Sequence, residues 1–444
     1  MTPTEKRSVS TLALIYALRM FGLFMVLPVL ALYAADYEGA SAALVGVAIG
    51  AYGLTQACLQ LPFGMWSDRI GRKPVILMGL ALFTLGSLIA GLADSIVWLI
   101  VGRALQGAGA IASTLMALMT DLTREENRTK AMASIGASIG LAFTLAMVAG
   151  PVLSNWLGMS GLFLMTAVLS IMAMILLVRA VPTPVVQIRS RESRAFLHQL
   201  ADVFKDRQIM RLSFGILVLH AVLVACFVAM PVLLEQSGLN KQAHWKVYLP
   251  IMITAFMAMV PFIIIGEKKQ KMKPVLAMAV GLLLVSVLFM WQAGLMFWAL
   301  VAALWLFFVS FNILEASLPS LVSKFAPAGF KGSAMGIYST CQFLGAFIGG
   351  ALGGVITETW GLSAVFVATV PLVVLWLVLV LTMQAPKHLT SYRVALTASR
   401  ATEALQTELM SVPGVHEVMI LDQAAYLKVD NKTFNPTLLK PLNL

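Results

Sequence analysis

The sequence predicts an all-α polytopic membrane protein: twelve transmembrane helices as two six-helix pseudo-repeats, with a small cytosolic α+β domain at the C-terminal end. Three observations predict it. Of 444 residues, 60% are apolar and 11% charged, with a mean hydropathy of +0.90. Soluble domains run at about 45–50% apolar and about a quarter charged, and cannot cover so much apolar surface with so few charges. The apolar residues gather into twelve runs of membrane-crossing length, and the basic residues fall almost wholly into alternate connections between them.

A helix needs about 20 apolar residues to cross about 30 Å of hydrocarbon. Such runs fall at 11–34, 43–66, 75–93, 95–119, 132–155 and 161–181, and after a polar gap at 211–235, 246–266, 274–293, 295–321, 333–357 and 361–384. No period-2 alternation marks these runs, so an outer-membrane barrel is a poor reading. Lys6 and Arg7 precede the first run, which is longer than a signal-peptide core and reads as an uncleaved anchor. Of 31 Lys and Arg, 21 fall in the N-terminal tail, loops 2–3, 4–5, 8–9 and 10–11, and the central linker. Only Lys241 and Lys246 fall on the other side, and Arg19 and Arg103 lie inside spans. By the positive-inside rule both termini are cytoplasmic. The net charge of +11 is then a record of topology, and a nucleic-acid partner has no place.

The four parts are a six-helix bundle at 1–181, a linker at 182–209, a second bundle at 210–386 and a tail at 387–444. In the linker, Phe196, Leu197, Leu200, Val203 and Phe204 share one face of a helix, which predicts an interfacial connector. The tail has 11 charged residues in 58. Period-2 patches at Thr390–Leu396, Val415–Leu421 and Ala425–Asp430 predict strands, with a helix over Arg400–Met410, a turn at Pro413-Gly414, a hairpin joint at Asp422-Gln423 and a short final helix. This β-α-β-β order resembles ferredoxin-like heavy-metal-associated modules. Those hold metal through a CxxC near the first strand; the tail has no cysteine, so the fold is expected and a metal is not. Cys58, Cys226 and Cys341 each sit alone in an apolar run and read as small buried hydrophobes. No cofactor is called for.

Loop 2–3 reads Gly64-Met65-Trp66-Ser67-Asp68-Arg69-Ile70-Gly71-Arg72-Lys73-Pro74. Gly64 permits close helix approach, Gly71 a tight turn, and Asp68 sits among three cations. The run resembles the G-x-x-x-D-R-x-G-R-[RK]-x loop signature of the major facilitator superfamily. The resemblance implies a latch: Asp68 against the Ser333–Gly336 end of span 11, where a carboxylate gains from unpaired N–H groups and the helix dipole, and Arg72 against Asp121. A degraded echo, Gly266-Glu267-Lys268-Lys269-Gln270-Lys271-Met272-Lys273-Pro274, stands at the corresponding loop of the second half. Together they imply repeats that alternate access to a midplane site by a rocker-switch motion.

Other motifs point the same way. Span 4 carries Arg103-x-x-Gln106-Gly107-x-Gly109, similar to a family motif linked to proton coupling, although a structural arginine fits the position as well. Span 5 carries Gly136, Gly140 and Gly150-Pro151, similar to the antiporter signature but with Ser154 and Asn155 for its last glycines. Span 1 has Gly22 and Pro28, near the pattern of twelve-span drug efflux proteins. Small residues at four-residue spacing, Gly46 and Gly50, Gly136 and Gly140, and Gly345, Gly349 and Gly353, fit either tight packing or a rocking interface between halves.

Polar residues inside spans are the candidates for the site. Arg19, Tyr52, Gln56, Gln60, Asn312, Tyr338 and Gln342 are expected to line a substrate cavity, with Tyr52, Gln56 and Gln60 on one helical face and Asn312 and Glu315 on another. Glu315, Arg103 and His220 are the proton-coupling candidates, and Glu315 is the sharpest because its surroundings set whether it is charged. Asp36 and Asp94 sit at span ends and read as solvated. The reading is export of hydrophobic or amphipathic small molecules in exchange for protons across a bacterial inner membrane. A metabolite or sugar importer on the same scaffold, and a sensor signalling through the tail, fit the same residues. No P-loop is present, which disfavours ATP-driven pumping, and no nucleophile–base–acid set suggests an enzyme.

Overall fold

The computed structural model describes residues 1–183, 201–327, 330–385, 390–395, 403–421, 424–430 and 433–435. Helices α1 (Pro3–Met25), α2 (Ala42–Ile70) and α3 (Arg72–Gly91) form spans 1–3. Span 4 is divided into α4 (Ile96–Ala108) and α5 (Ala112–Asp121). Spans 5 and 6 are continuous in α6 (Glu125–Ala180) except at Gly158, whose φ of +66° is open to glycine and breaks the helix. The second half comprises α7 (Arg207–Gln236), α8 (Trp245–Lys268), α9 (Met272–Ala293), α10 (Phe297–Phe325), α11 (Lys331–Trp360) and α12 (Ala364–Leu381). These six lie within a few residues of the sequence-predicted runs.

Span 1 departs most from its predicted 11–34. The helix starts at Pro3 with a capping box, in which the Thr2 hydroxyl accepts from the Glu5 amide and the Glu5 carboxylate accepts from the Thr2 amide. Hydropathy does not register these polar first turns. It ends at Met25, ahead of Pro28, and a 3₁₀ turn over Leu30–Asp36 completes the crossing. Glu5 also accepts from the backbone N–H and side chain of Arg124 and from Asn127 Nδ2, tying the start of span 1 to the start of span 5.

The break in span 4 has a packing cause. A Cβ on Gly107 would collide with the Tyr52 carbonyl oxygen, and one on Gly109 with that of Gly79. Spans 2 and 3 therefore press on span 4 at backbone distance, and non-helical chain is tolerated there because protein covers it. Cys226 is buried and Cys341 half-buried, but Cys58 faces outward from α2 and so is not a core residue as expected; hydrocarbon solvates an apolar thiol on the rim of a bundle.

The two halves meet along α2 and α11. Gly46 and Gly50 of α2 face Gly350, Gly354 and Phe347 of α11, with no room for a Cβ on Gly46, Gly350 or Gly354. The stripe Gly345, Gly349 and Gly353 instead packs on Leu217, Ala221 and Ala225 of α7, inside the second half. Two glycine stripes thus run along α11 one residue apart, one joining the halves and one holding α7. Gly136 and Gly140 of span 5 have open space beside them. Polar links between halves cluster at the face away from the termini: the Ala43 amide donates to Glu358 (2.8 Å), Asn155 Nδ2 donates to the Gln242 carbonyl (3.2 Å), and Lys241 Nζ lies 4.6 Å from the centre of the Tyr33 ring.

The tail forms strands β1 (Thr390–Ala395), β2 (Val415–Leu421) and β3 (Ala424–Val429) and helix α13 (Glu403–Met410). Its sheet order β1-β3-β2, antiparallel throughout, is that of three strands of a ferredoxin-like sheet. Gly414 makes the turn with a φ of +85°. Residues 422–423 of the hairpin joint and the expected final helix lie outside the described residues, as do Phe196, Leu197 and Leu200 of the linker; Val203 is helical and buried.

The two stripes on α11 predict different phenotypes. Gly349→Val should lower the thermal midpoint of the purified protein, since overpacking costs about 1–3 kcal/mol. Gly46→Val should act on the contact between halves and speed labelling of a cysteine placed at Ala43, several-fold above the glycine background. Equal labelling with and without Gly46→Val contradicts the assignment.

Candidate functional site

The polar residues singled out within the spans fall into two clusters, one in each half. In the first, the buried Arg19 side chain of α1 reaches α2 and the broken part of span 4. Its Nη2 lies 2.9 Å from Tyr52 Oη, 2.8 Å from Gln56 Oε1 and 2.9 Å from the Gly109 carbonyl. The chain continues as the Tyr52 hydroxyl donates to Gln56 Oε1 (3.1 Å) and Gln56 Nε2 to Gln60 Oε1 (3.2 Å). Tyr52, Gln56 and Gln60 do share one face of α2, as their spacing predicts. The break at Gly109 supplies one of the three acceptors, because a carbonyl freed from the helix ladder is available to a side chain.

In the second cluster, His220 of α7, Glu315 of α10 and Gln342 of α11 converge. Gln342 Nε2 lies 2.9 Å from His220 Nε2 and 3.2 Å from Glu315 Oε1, and His220 Nε2 is 3.9 Å from Glu315 Oε2. His220 Nδ1 lies 3.3 Å from the Ile216 carbonyl. The tautomer that satisfies both contacts carries its proton on Nδ1 and accepts at Nε2. Glu315 Oε2, Asn312 Nδ2 and the Tyr338 hydroxyl are buried with no hydrogen-bond partner. In hydrocarbon such groups are costly, which marks a place where a ligand or proton belongs.

Between the clusters runs an aromatic seam the sequence does not single out. Phe143 of span 5 stacks on Phe311 of α10 with centroids 5.7 Å apart and meets Phe24 of α1 edge-on at 4.9 Å. Tyr52 meets Phe343 of α11 at 6.1 Å, and Phe311 lies 5.9 Å from the His220 ring. With 23 phenylalanines in the chain, composition gives no means of choosing these. His244, buried with neither ring nitrogen bonded, was also not indicated, since it lies in a polar connection.

Arg103 is spent on protein. Its Nε, Nη1 and Nη2 donate to the Ala48 carbonyl, Gln106 Oε1 and the Ile49 carbonyl, and Gln106 donates on to Ser87. It staples span 4 to span 2. Gly150 admits the Met25 carbonyl at a distance that excludes a Cβ, and Pro151 follows it inside α6; Gly140 touches nothing within 4 Å.

At the face carrying the termini, Gly71 ends α2 with a φ of +104°, so Arg72 folds back over the end of span 4. Arg72 forms ion pairs with Asp68 and with Asp121 (3.2 Å) and donates to Ser67 Oγ (2.6 Å). Gly64 lies over Ser113, and Lys73 Nζ donates to the Val181 carbonyl. Arg69 sits on the last turn of α2. The second half repeats the device with signs exchanged: Glu267 accepts from Ser320 Oγ and Lys324 Nζ, both 2.7 Å.

Comparison with known proteins agrees with this geometry. Residues 12–350 match the model of the Major Facilitator Superfamily. The chain is 49% identical to the inner membrane transport protein YajR of Escherichia coli K12, over 98% of this chain and 96% of that one. It is 28% identical to the multidrug resistance protein MdtH of Aeromonas hydrophila, over 78% of this chain and 87% of that one. The crystal structure of a D-xylose–proton symporter superposes with a TM-score of 0.69 at 13% identity, covering 85% of this chain and 98% of that one. With the loop signature, the two bundles and the family match in place, the chain belongs to the major facilitator superfamily and is a membrane transporter, not an enzyme.

Proposed function

We propose that the protein exports hydrophobic or amphipathic small molecules across a bacterial inner membrane in exchange for protons, by rocker-switch alternating access, with both termini in the cytoplasm. The observation that carries this reading is the cluster of His220, Glu315 and Gln342: a carboxylate in hydrocarbon, next to a neutral imidazole acceptor, with one oxygen left free. When ionised, Glu315 holds the Gln342 amide. When protonated at Oε2 it gains a donor that competes with the Gln342 amide for His220 Nε2, 3.9 Å away. Proton arrival therefore exchanges one hydrogen-bond pattern linking α7, α10 and α11 for another, which is the differential contact a two-state transporter needs. The names of YajR and MdtH, an inner membrane transport protein and a multidrug resistance protein, support the location and a drug-like substrate. The D-xylose–proton symporter keeps proton-coupled import as the alternative.

The working parts follow the boundaries 1–181, 182–209, 210–386 and 387–444. Gly64, Asp68, Arg69, Gly71, Arg72, Lys73 and Asp121 form the conformational latch. Arg72, bridging Asp68 and Asp121, holds loop 2–3 to the end of span 4, and in the moving cycle Asp68 exchanges this partner for the N-terminal end of α11. Arg19, Tyr52, Gln56, Gln60, Asn312, Tyr338 and Gln342 line the substrate path. A second reading, in which the tail senses or regulates, rests on one contact: Lys428 Nζ of β3 donates to the Lys324 and Phe325 carbonyls at the end of α10 (3.2 and 3.5 Å).

Glu315→Gln should abolish proton-gradient-driven accumulation in inside-out vesicles while leaving downhill exchange measurable; native accumulation refutes the proton role. Asp68→Asn should raise cysteine accessibility from the cytoplasmic face, and equal labelling from both faces in mutant and parent removes the latch. Deleting 387–444 should leave transport within about twofold if the tail is regulatory. Loss of transport with normal expression would instead make the tail part of the moving machinery.

A further inference from the structure

Arg19 is an unbalanced charge. It is 1% exposed, and of its three nitrogens only Nη2 has acceptors, while Nε and Nη1 have no hydrogen-bond partner. Nη2 carries two protons for three acceptors, so three N–H donors elsewhere on the guanidinium are unspent. Its flanks are aromatic: the Cζ lies 5.9 Å from the centre of the Tyr52 ring and 5.5 Å from that of Phe83. Arg103, also in hydrocarbon, has every nitrogen bonded to protein. One intramembrane arginine is structurally complete and the other is not.

The first half has no carboxylate to complete it. No aspartate or glutamate occurs within any of the six predicted spans of residues 11–181. At the membrane face, Glu5 is held by Arg124, and Asp68 and Asp121 by Arg72. A buried charge without a partner is expensive, and in a membrane it is retained where a partner arrives.

We propose that Arg19 is the receptor for an anionic group on the transported compound, which makes the substrate an organic monoanion: a hydrophobic body bearing one carboxylate or equivalent group. One uncompensated positive charge matches one negative charge. Tyr52, which bonds Arg19, also contacts Phe343 of the opposite half, so a hydrophobic body attached to the anion reaches the aromatic seam between the halves. This deepens the transporter proposal and rests on it for the compound's being carried rather than only bound.

The test uses the purified full chain in lipid nanodiscs and matched probes: benzoate, 2-naphthoate and decanoate, each against its neutral amide, with 2-naphthylmethylammonium as cation. The readout is the thermal midpoint against probe concentration, which reports binding by linkage. At least one carboxylate should bind about tenfold or more tightly than its amide, the worth of one charge-assisted hydrogen-bond set. Arg19→Gln should remove that preference and leave the ligand-free midpoint unchanged or higher, and Arg19→Lys should restore part of it. Equal binding of every carboxylate and its amide, preference for the ammonium probe, or a preference that survives Arg19→Gln overturns the proposal. A fall in the ligand-free midpoint of Arg19→Gln together with native carboxylate preference assigns Arg19 to structure alone, and also overturns it. Arg19-dependent carboxylate binding without gradient-driven transport keeps the anion site and refutes proton-coupled export; gradient-driven transport confined to neutral or cationic compounds does the reverse.

Discussion

Hydrocarbon offers no water to a charge, and that constraint organises this molecule. Each ionisable group within the bundles is either bonded into protein, as Arg103 is to three acceptors, or left incomplete where a mobile species is to arrive. Arg19 and Glu315 are two such incomplete groups, opposite in sign and on opposite halves. The scaffold between them is apolar and aromatic, which keeps the dielectric low and makes either group's partner count for more. The same constraint fixes the backbone: the break inside span 4 lies where spans 1, 2 and 3 cover it, and the buried carbonyl of Gly109 accepts from Arg19.

Much of this architecture is legible in the sequence because membranes simplify the code. Length and hydropathy locate the crossings, and basic residues mark one face. The turn at Gly71 follows from the residue types of the loop, and the Arg72–Asp121 pair from the loop's resemblance to the family signature. Tyr52, Gln56 and Gln60 fall on one face because helical spacing dictates it. What stays hidden depends on contacts between distant segments. The start of span 1 is invisible to hydropathy because its capping box is polar. The break in span 4 joins its own Gly107 and Gly109 to close neighbours on spans 2 and 3, which the sequence does not place. Gly345, Gly349 and Gly353 were as good a candidate for the interface between halves as Gly350 and Gly354, since a stripe does not declare its partner. The convergence of His220, Glu315 and Gln342 needed three helices to be placed, although each residue was conspicuous alone.

The paired loops show how a duplicated fold diversifies. In the first half a cation on loop 2–3 grips an anion at the end of span 4; in the second an anion on loop 8–9 grips a cation at the end of span 10. The mechanical result is the same, a clasp between one connection and the helix two crossings along, while the surface field differs between halves. The two clasps differ in burial: Arg72 and Asp121 are largely covered, whereas Glu267 is exposed, and a surface pair of the second kind contributes little to stability. Their shared value lies in geometry, because each ties a loop to a helix end.

Lys324 serves two masters. Its ammonium is held by Glu267 from loop 8–9, and its carbonyl, with that of Phe325, is held by Lys428 from the tail sheet. A single peptide at the end of α10 is thereby loaded from both sides, by a loop of the bundle and by a domain outside the membrane. Displacement of that helix end shifts both contacts together, because loop 8–9 and the tail sheet meet the second bundle at one place.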